Sequence, residues 1–337
     1  MQKKCDVEQK LPGINRRHFL KIFAATAGVL AGGRLLQQQQ RLSTVQETRL
    51  LMGTVINLAL FSEDEREGRR AMAATFAEME RLIRLFDHRL ATGPLGRLNR
   101  QGALAAAPPE LVALLEEAIA YGELTQGAFD VTVRPLLHVG AQDRDATAVP
   151  VDYRAIELTG SHVRLAHPGM SITLDGIAKG RVVDGASTML RQWGYQHVLV
   201  EAGGDLMARG QRDGLNPWRV GIPSPRPRRG SARDLLARLA VTEQALATSG
   251  DYMNSFTDDY SAHHIVDPRS RRSPAELASV TVTAPTATAA DALSTAVMVL
   301  GVDDGLSLLE RLPHVAGLLV TKQMEISRSH SMIVDPL

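Results

Sequence analysis

Apolar positions recur along the chain with two periods, and the switches between them mark the elements. Over residues 45–61 the period is two, with Ile56, Leu58 and Leu60 on one face of an extended segment that Met52-Gly53-Thr54 interrupts. From 63 to 86 it becomes three to four, and Met72, Phe76, Met79, Leu82, Ile83 and Phe86 line one side of a predicted amphipathic helix. Residues 87–99 carry no repeat and read as a loop. A second helix is expected after Pro108-Pro109, carrying Leu111, Leu114, Leu115, Ala118 and Ile119 and ending near Gly127. Short strands at 156–158, 162–165 and 172–174 lead into a helix from Gly176, with Ile177, Val182, Val183, Met189 and Leu190 apolar. Strands follow at 197–201 and 206–208 around Gly203-Gly204, then at 218–222, 239–242, 245–249 and 278–283. Helices at 287–300 and 305–312 precede a closing hairpin of 315–321 with 325–327. Strands and helices mix without regular βαβ alternation, so the fold class is α+β with largely antiparallel sheets.

The stretch 171–184, SITLDGIAKGRVVD, carries the sharpest chemistry. Strand, glycine and helix start make an anion site, because the first N–H groups of a helix lack internal partners and the dipole adds positive potential. Lys179 and Arg181 add formal charge, and Asp175 can face a polar ligand edge or a cation beside a phosphate. The same stretch also reads as a plain strand-to-helix turn with an aspartate cap. Farther on, Thr248-Ser249-Gly250-Asp251 is followed by His263-His264-Ile265-Val266-Asp267-Pro268. A histidine there can accept a proton from a hydroxyl, with a carboxylate fixing its tautomer, or it can be structural. Asp291 and Thr295, four apart, share one helix face, and a carboxylate with a hydroxyl and backbone carbonyls suits Mg²⁺. A helix-start aspartate with a polar neighbour is the alternative. Phosphate-loop, dinucleotide-fingerprint, nucleophile-elbow and zinc-helix motifs are absent.

Charge narrows the partners. Lys plus Arg number 38 against 37 for Asp plus Glu, which gives no reason to propose a nucleic acid or a polybasic membrane face. The arginine-rich run 223–233 is broken by proline and glycine and reads as a solvated loop. Near the start, Asn15-Arg16-Arg17-His18-Phe19-Leu20-Lys21 and the small apolar run 22–33 resemble a twin-arginine export signal. That implies a bacterial periplasmic protein, with an uncleaved inner-membrane anchor as a variant. The expected organisation is a signal or anchor at 1–36, a flexible spacer at 37–44 and one domain at 45–337. The only cysteine, Cys5, precedes the arginine pair, so the body holds no disulfide and no cysteine nucleophile.

Six ordered motifs, GAFDVT, LDGIAKGRVVD, AGGDL, TSGDY, HHIVDP and ADALSTA, together resemble the bacterial FAD:protein FMN transferases, the ApbE family, over roughly 52–301. The resemblance extends to the periplasmic accessory type linked to nitrous-oxide respiration. It implies a T-fold-like α+β architecture with a central flavin cleft, FAD as substrate and Mg²⁺ as cofactor. The implied metal ligands are the Ala178 carbonyl, Asp291 and Thr295, with Ser294 beside them. FAD contacts would come from Met52, Ala128, Phe129, Asp130, Asp175, Lys179, Arg181 and Ile265. The implied reaction moves FMN from FAD to a threonine hydroxyl of an acceptor flavoprotein and releases AMP. His264 is the candidate base, with Asp267 or Asp251 as its orienter. Hydrolysis of FAD to FMN and AMP, or flavin binding without chemistry, are the other readings. Membrane contact would come only through the N-terminal signal or a membrane-bound acceptor. Two positions depart from the family pattern. Arg89 stands where an aromatic usually covers the flavin ring, and Arg271 stands where a glycine usually supplies positive φ, so that loop is expected to take another path.

Overall fold

The computed structural model describes residues 43–138, 148, 150–212, 215–227 and 234–335. The twin-arginine segment, most of the spacer and positions 228–233 of the arginine-rich run lie outside the described residues.

Strands β1 (Ser43–Leu51) and β2 (Thr54–Ser62) pair as a hairpin around Met52-Gly53, whose φ values are 54° and 70°. Two left-handed residues in succession match the twist of the flanking strands. Helix α1 (Glu65–Phe86) follows, with Asp64 accepting the N–H groups of Arg66 and Glu67 and with Met72, Phe76, Met79, Leu82 and Phe86 buried as the period requires. The expected loop at 87–99 contains α2 (Pro94–Gln101). Pro94 sits in its first turn, Gly102 closes it at φ 73°, and Leu95 and Leu98 are buried three apart. Gly93 stands at the cap position and Pro94 in the first turn, where its missing N–H costs nothing.

A small sheet of order β3-β5-β4 combines β3 (Ala103–Leu104), β4 (Ile156–Thr159) and β5 (His162–Leu165), with α3 (Pro109–Leu124) and a short α4 (Arg134–His138) inserted after β3. Residues 172–174, expected as a strand, are buried but join no ladder. The Asn99 side chain holds Ile172 at both its N–H (2.6 Å) and its carbonyl (2.8 Å), and the Thr173 N–H donates to the Val131 carbonyl. Side-chain and irregular backbone partners replace a ladder there. Helix α5 (Ala178–Gln192) then begins two residues later than expected.

The main sheet has eight strands, all antiparallel, in the order β1-β2-β6-β7-β10-β11-β12-β13. Its later members are β6 (Val198–Ala202), β7 (Asp205–Arg209), β10 (Gln244–Gly250), β11 (Leu277–Ala284), β12 (Ala316–Thr321) and β13 (Ile326–Arg328). Between β7 and β10 runs the hairpin of β8 (Trp218–Pro223) and β9 (Leu235–Val241), the second strand starting four residues before its expected start. Helices α6 (Ala287–Leu300) and α7 (Val302–Arg311) connect β11 to β12. Alternation sets the layers. Ile56, Leu58, Leu60, Val200, Ala247 and Val282 face α1, α5 and α6, whereas Ala59, Leu206, Leu246 and Leu318 face Trp218, Val220, Ile222 and Leu239 of the β8-β9 hairpin. With both faces covered, every residue of β11 and β12 is buried.

Two residues fix how α5 meets α6. At Gly180 any side chain would begin 2.2 Å from the Ala287 carbonyl oxygen, so only glycine permits this approach. One turn on, the half-buried Asp184 carboxylate accepts the N–H groups of Ala287 and Thr288 (2.8 Å each) and the Thr288 hydroxyl (2.6 Å). It caps α6 from a neighbouring helix.

Candidate active site

The first turn of α5 faces α6 where β6 turns into β7 and β10 ends. Ile177 stands at the cap position with no side-chain bond, so Asp175 is not an aspartate cap. Its carboxylate turns instead to Arg89, at 3.2 and 2.9 Å, with the His88 ring nitrogen at 3.7 Å. Burial holds the His88 imidazole below its ordinary value, with Arg89 and Arg134 pushing the same way against Asp175.

Inside the turn, the Lys179 ammonium bonds Asp205 and lies 3.6 Å from Asp291. Burial pulls this lysine down, but the two carboxylates outweigh it, so it stays charged above its ordinary range. Burial and the neighbouring Asp291 push Asp205 up against the pull of Lys179. The other Asp291 oxygen accepts the Gly180 N–H at 3.0 Å. Glu201, at the end of β6, is also buried; burial raises it, while hydrogen bonds from the Gly204 N–H (2.9 Å) and the Asn57 amide (2.6 Å) pull it back. Neither Glu201 nor Asp205 carries a role in the sequence reading, where Gly203-Gly204 is a turn between strands and AGGDL one of the six motifs. That turn is tight, with Gly203 and Gly204 at φ 59° and 104°.

One helical turn along α6, the Ser294 hydroxyl lies 2.9 Å and the Thr295 hydroxyl 3.3 Å from the Ser249 hydroxyl at the end of β10. Ser294 also donates to the Asp291 carbonyl. Gly176 lets the chain pass close to Thr295: a Cβ there would stand 3.1 Å from its hydroxyl oxygen and 3.4 Å from the Phe129 ring. The structure thus brings Gly176, Lys179, Asp205, Asp291, Ser294, Thr295 and Phe129 to one recess. Ala178 is buried beside them in the first turn of α5. The groups able to ligate are oxygens, the Asp291 and Asp205 carboxylates with hydroxyls and backbone carbonyls, a set that fits a hard cation such as Mg²⁺ rather than zinc.

Other candidates sit around this recess. Ala128 and Phe129 are buried, with the Tyr121 ring edge-on to Phe129 at 6.2 Å. The Asp130 carboxylate is taken up by Thr132 and by the Tyr153 N–H at 3.0 Å, and burial raises it above the usual range. Met52, in the β1-β2 turn, packs partly against the core, and Ile265 is buried in it. Arg181 points the other way, to Glu117 of α3 at 2.9 Å.

His264 stands near the recess, its backbone N–H donating to the Asn254 carbonyl and its ring edge-on to His263 at 6.3 Å. Its Nδ1 is buried without a partner among the described residues. Burial, with His263 and Lys179 adding to it, lowers this imidazole to about 4, so it is neutral near pH 7. Neither proposed orienter is on it. Asp251 is fully buried and gripped at both oxygens by Arg226 (2.9 and 2.7 Å), whose guanidinium also covers the Tyr260 ring at 4.0 Å. Asp267 binds Arg269 at 2.9 Å. Arg226 therefore corrects the reading of residues 223–233 as wholly solvated, because the run sends one arginine into the protein. The loop after His264 also differs from expectation: Arg271 adopts φ 59°, the left-handed path reserved for glycine, and its N–H closes onto the Asp267 carbonyl at 2.8 Å.

Comparison with known proteins bears on the same residues. Over 283 residues the chain is 31% identical to the FAD:protein FMN transferase of Vibrio cholerae, covering 77% of this chain and 82% of that one. Identity to the Haemophilus influenzae FAD:protein FMN transferase is also 31%, over 265 residues and with 70% and 75% covered. Among solved structures, the ApbE protein of Thermotoga maritima aligns with a TM-score of 0.77 at 28% identity, covering 86% of this chain and 98% of that one. The flavin transferase ApbE of Vibrio cholerae aligns at 0.74 and 26% identity, with the same coverage. Residues 52–319 match the ApbE family, a span that holds every residue of the recess, and this chain therefore belongs to that family.

Proposed function

We propose that this chain is an FAD:protein FMN transferase, acting on a threonine hydroxyl of an acceptor flavoprotein with Mg²⁺ as cofactor. The observation that carries this reading is the oxygen-lined recess at the start of α5, where Gly176 lies against Thr295 and Lys179 bridges Asp205 and Asp291. Asp291, Thr295 and the Ala178 carbonyl would hold the cation. When bound, it would neutralise charge on the FAD pyrophosphate and on the departing AMP.

The chain's own groups set up the rest. The N-terminal end of α5 turns its dipole toward the recess, and the Lys179 ammonium holds Asp205 and Asp291 together there. Ser249 fixes the Ser294 and Thr295 hydroxyls, so these oxygens are aimed before substrate arrives. Met52, only partly buried, offers apolar surface to an aromatic ring system. The acceptor hydroxyl oxygen forms a bond to the FMN phosphorus, the bond from that phosphorus to the bridging oxygen breaks, and AMP leaves with the bridging oxygen. The hydroxyl proton passes to His264, which is neutral and so able to accept it. Export to the periplasm is part of this proposal and rests on Arg16-Arg17 with Phe19-Leu20-Lys21.

The test is incubation of the purified protein with FAD, Mg²⁺ and an acceptor domain bearing a flavinylation threonine, read by gel fluorescence and AMP release. Fluorescent acceptor with equimolar AMP is expected, abolished by EDTA and by Asp291→Ala. AMP without labelling would convert the reading to FAD hydrolysis, and neither product would refute both.

A further inference from the structure

Beside the recess lies an open trough of about 600 Å³, and its lining is one-sided in charge. Arg100 and Asn99 come from the end of α2, Arg164 from β5, His167 from the turn that follows, and Arg134 from the start of α4. Among the described residues of its lining there is no carboxylate, although acidic and basic side chains are almost equal in number over the whole chain. Arg164 is matched by Glu157 at 2.7 Å. Arg100 is held by the uncharged carbonyls of Ala91 and Gly96, which leave its charge in place. Arg134 has no hydrogen-bond or ion-pair partner among the described residues, and its Nε is buried unsatisfied.

Trough and recess share a wall. Ser171 lines the trough and Asp175 borders the recess, so the two are separated by four residues of chain, at most about 14 Å when extended. Arg134 is close enough to Asp175 and Arg89 to feel both charges. β3, which contributes Ala103, is an edge strand of its small sheet. Among its described residues the lining has no Phe, Tyr or Trp on which a nucleobase would stack, which sets it apart from the Phe129 side of the recess.

We propose that this trough seats an acidic segment of the acceptor protein, with carboxylates placed within about four residues of the threonine that receives FMN. The inference rests on the transferase reading and adds what selects the acceptor: the recess supplies the chemistry, and the trough reads charge beside it. Such contacts act on acceptor affinity and its salt dependence rather than on FAD.

The probes are two short rhodamine-labelled peptides, each with one threonine. One has aspartates on both sides of it within that span, and the other has asparagines there. Anisotropy with the full chain in saturating FAD should show the aspartate peptide binding about 10-fold tighter at low salt, with the preference shrinking as salt rises. Arg134→Ser should reduce the preference to about 2-fold or less without changing FAD affinity, and His167→Asp, at the lip, serves if that variant fails to fold. Equal binding of the two peptides, an unchanged preference in both variants, or complete displacement by AMP or inorganic phosphate would overturn the proposal. Absence of FMN transfer and AMP release by the wild-type protein would instead remove the transferase reading, whatever the peptides do.

Discussion

Arg89 grips both oxygens of Asp175, over 3.2 and 2.9 Å, across 86 residues of sequence. The resemblance assigns Asp175 to FAD, so in the free protein an arginine stands where the nucleotide would. Arg89→Ala should free the carboxylate. Both partners are substantially exposed, which limits the pair to about 0.2–1 kcal/mol, and FAD should bind up to about 5-fold tighter. Flavin-fluorescence titration checks this, and weaker binding in the variant would show that the guanidinium contacts bound FAD instead.

Lys179 serves two buried carboxylates at once, Asp205 and Asp291. Removing the ammonium leaves both uncompensated, so Lys179→Met should cost about 3–5 kcal/mol in denaturant titration. Adding Asp205→Asn to that variant should recover part of the loss, because one buried charge then disappears. Full additivity of the two changes would contradict the coupling seen here.

Much of this arrangement was legible because periodicity reports burial directly. The alternation of Ile56, Leu58 and Leu60 and the helical spacing of Met72, Phe76 and Met79 place the same residues in the core that the structure does. ADALSTA and LDGIAKG were readable as chemistry because Asp291 and Thr295 share a helix face and Gly176 precedes a helix start. What the sequence hid was pairing across distance. Asp251 looked like an orienter of His264 by proximity in the chain, but its arginine comes from 25 residues upstream in a run that composition alone marks as solvated. Segment 172–174 has strand composition, yet its partner is the Asn99 side chain, which no period encodes.

The Arg226 pair yields a sharper test because Asp251 is fully buried. Among the described residues, Lys322, at 3.8 Å, would remain near the carboxylate in Arg226→Ala. The expected loss is about 3–5 kcal/mol. Arg226→Lys should recover little, since an ammonium cannot reproduce the two-pronged contact or the stack on Tyr260. Near-complete rescue by lysine would mean that charge alone matters there.

Arg271 holds a left-handed backbone conformation that disfavours a side chain, at a cost of about 1–2 kcal/mol. Arg271→Gly removes that strain, against the greater freedom glycine has when unfolded. A net gain of about 1 kcal/mol is expected in thermal or chemical unfolding. Destabilisation would mean that the Arg271 side chain contributes more than its backbone costs.

His264 predicts a pH dependence whose sign follows from burial. Its imidazole is lowered from the ordinary 6.5 to about 4 in the folded chain. Between those values the unfolded chain binds a proton that the folded chain refuses, so stability is full above about 6.5 and falls as the pH drops toward 4. His264→Ala should flatten that part of the stability profile. As the base, the same histidine should put the acid limb of kcat/KM for FMN transfer near pH 4, leaving activity level through the range where a free imidazole titrates. The alanine variant should lose about 10²–10⁴-fold in rate. A flattened stability profile with undiminished transfer would assign His264 to the fold and move the proton to another group.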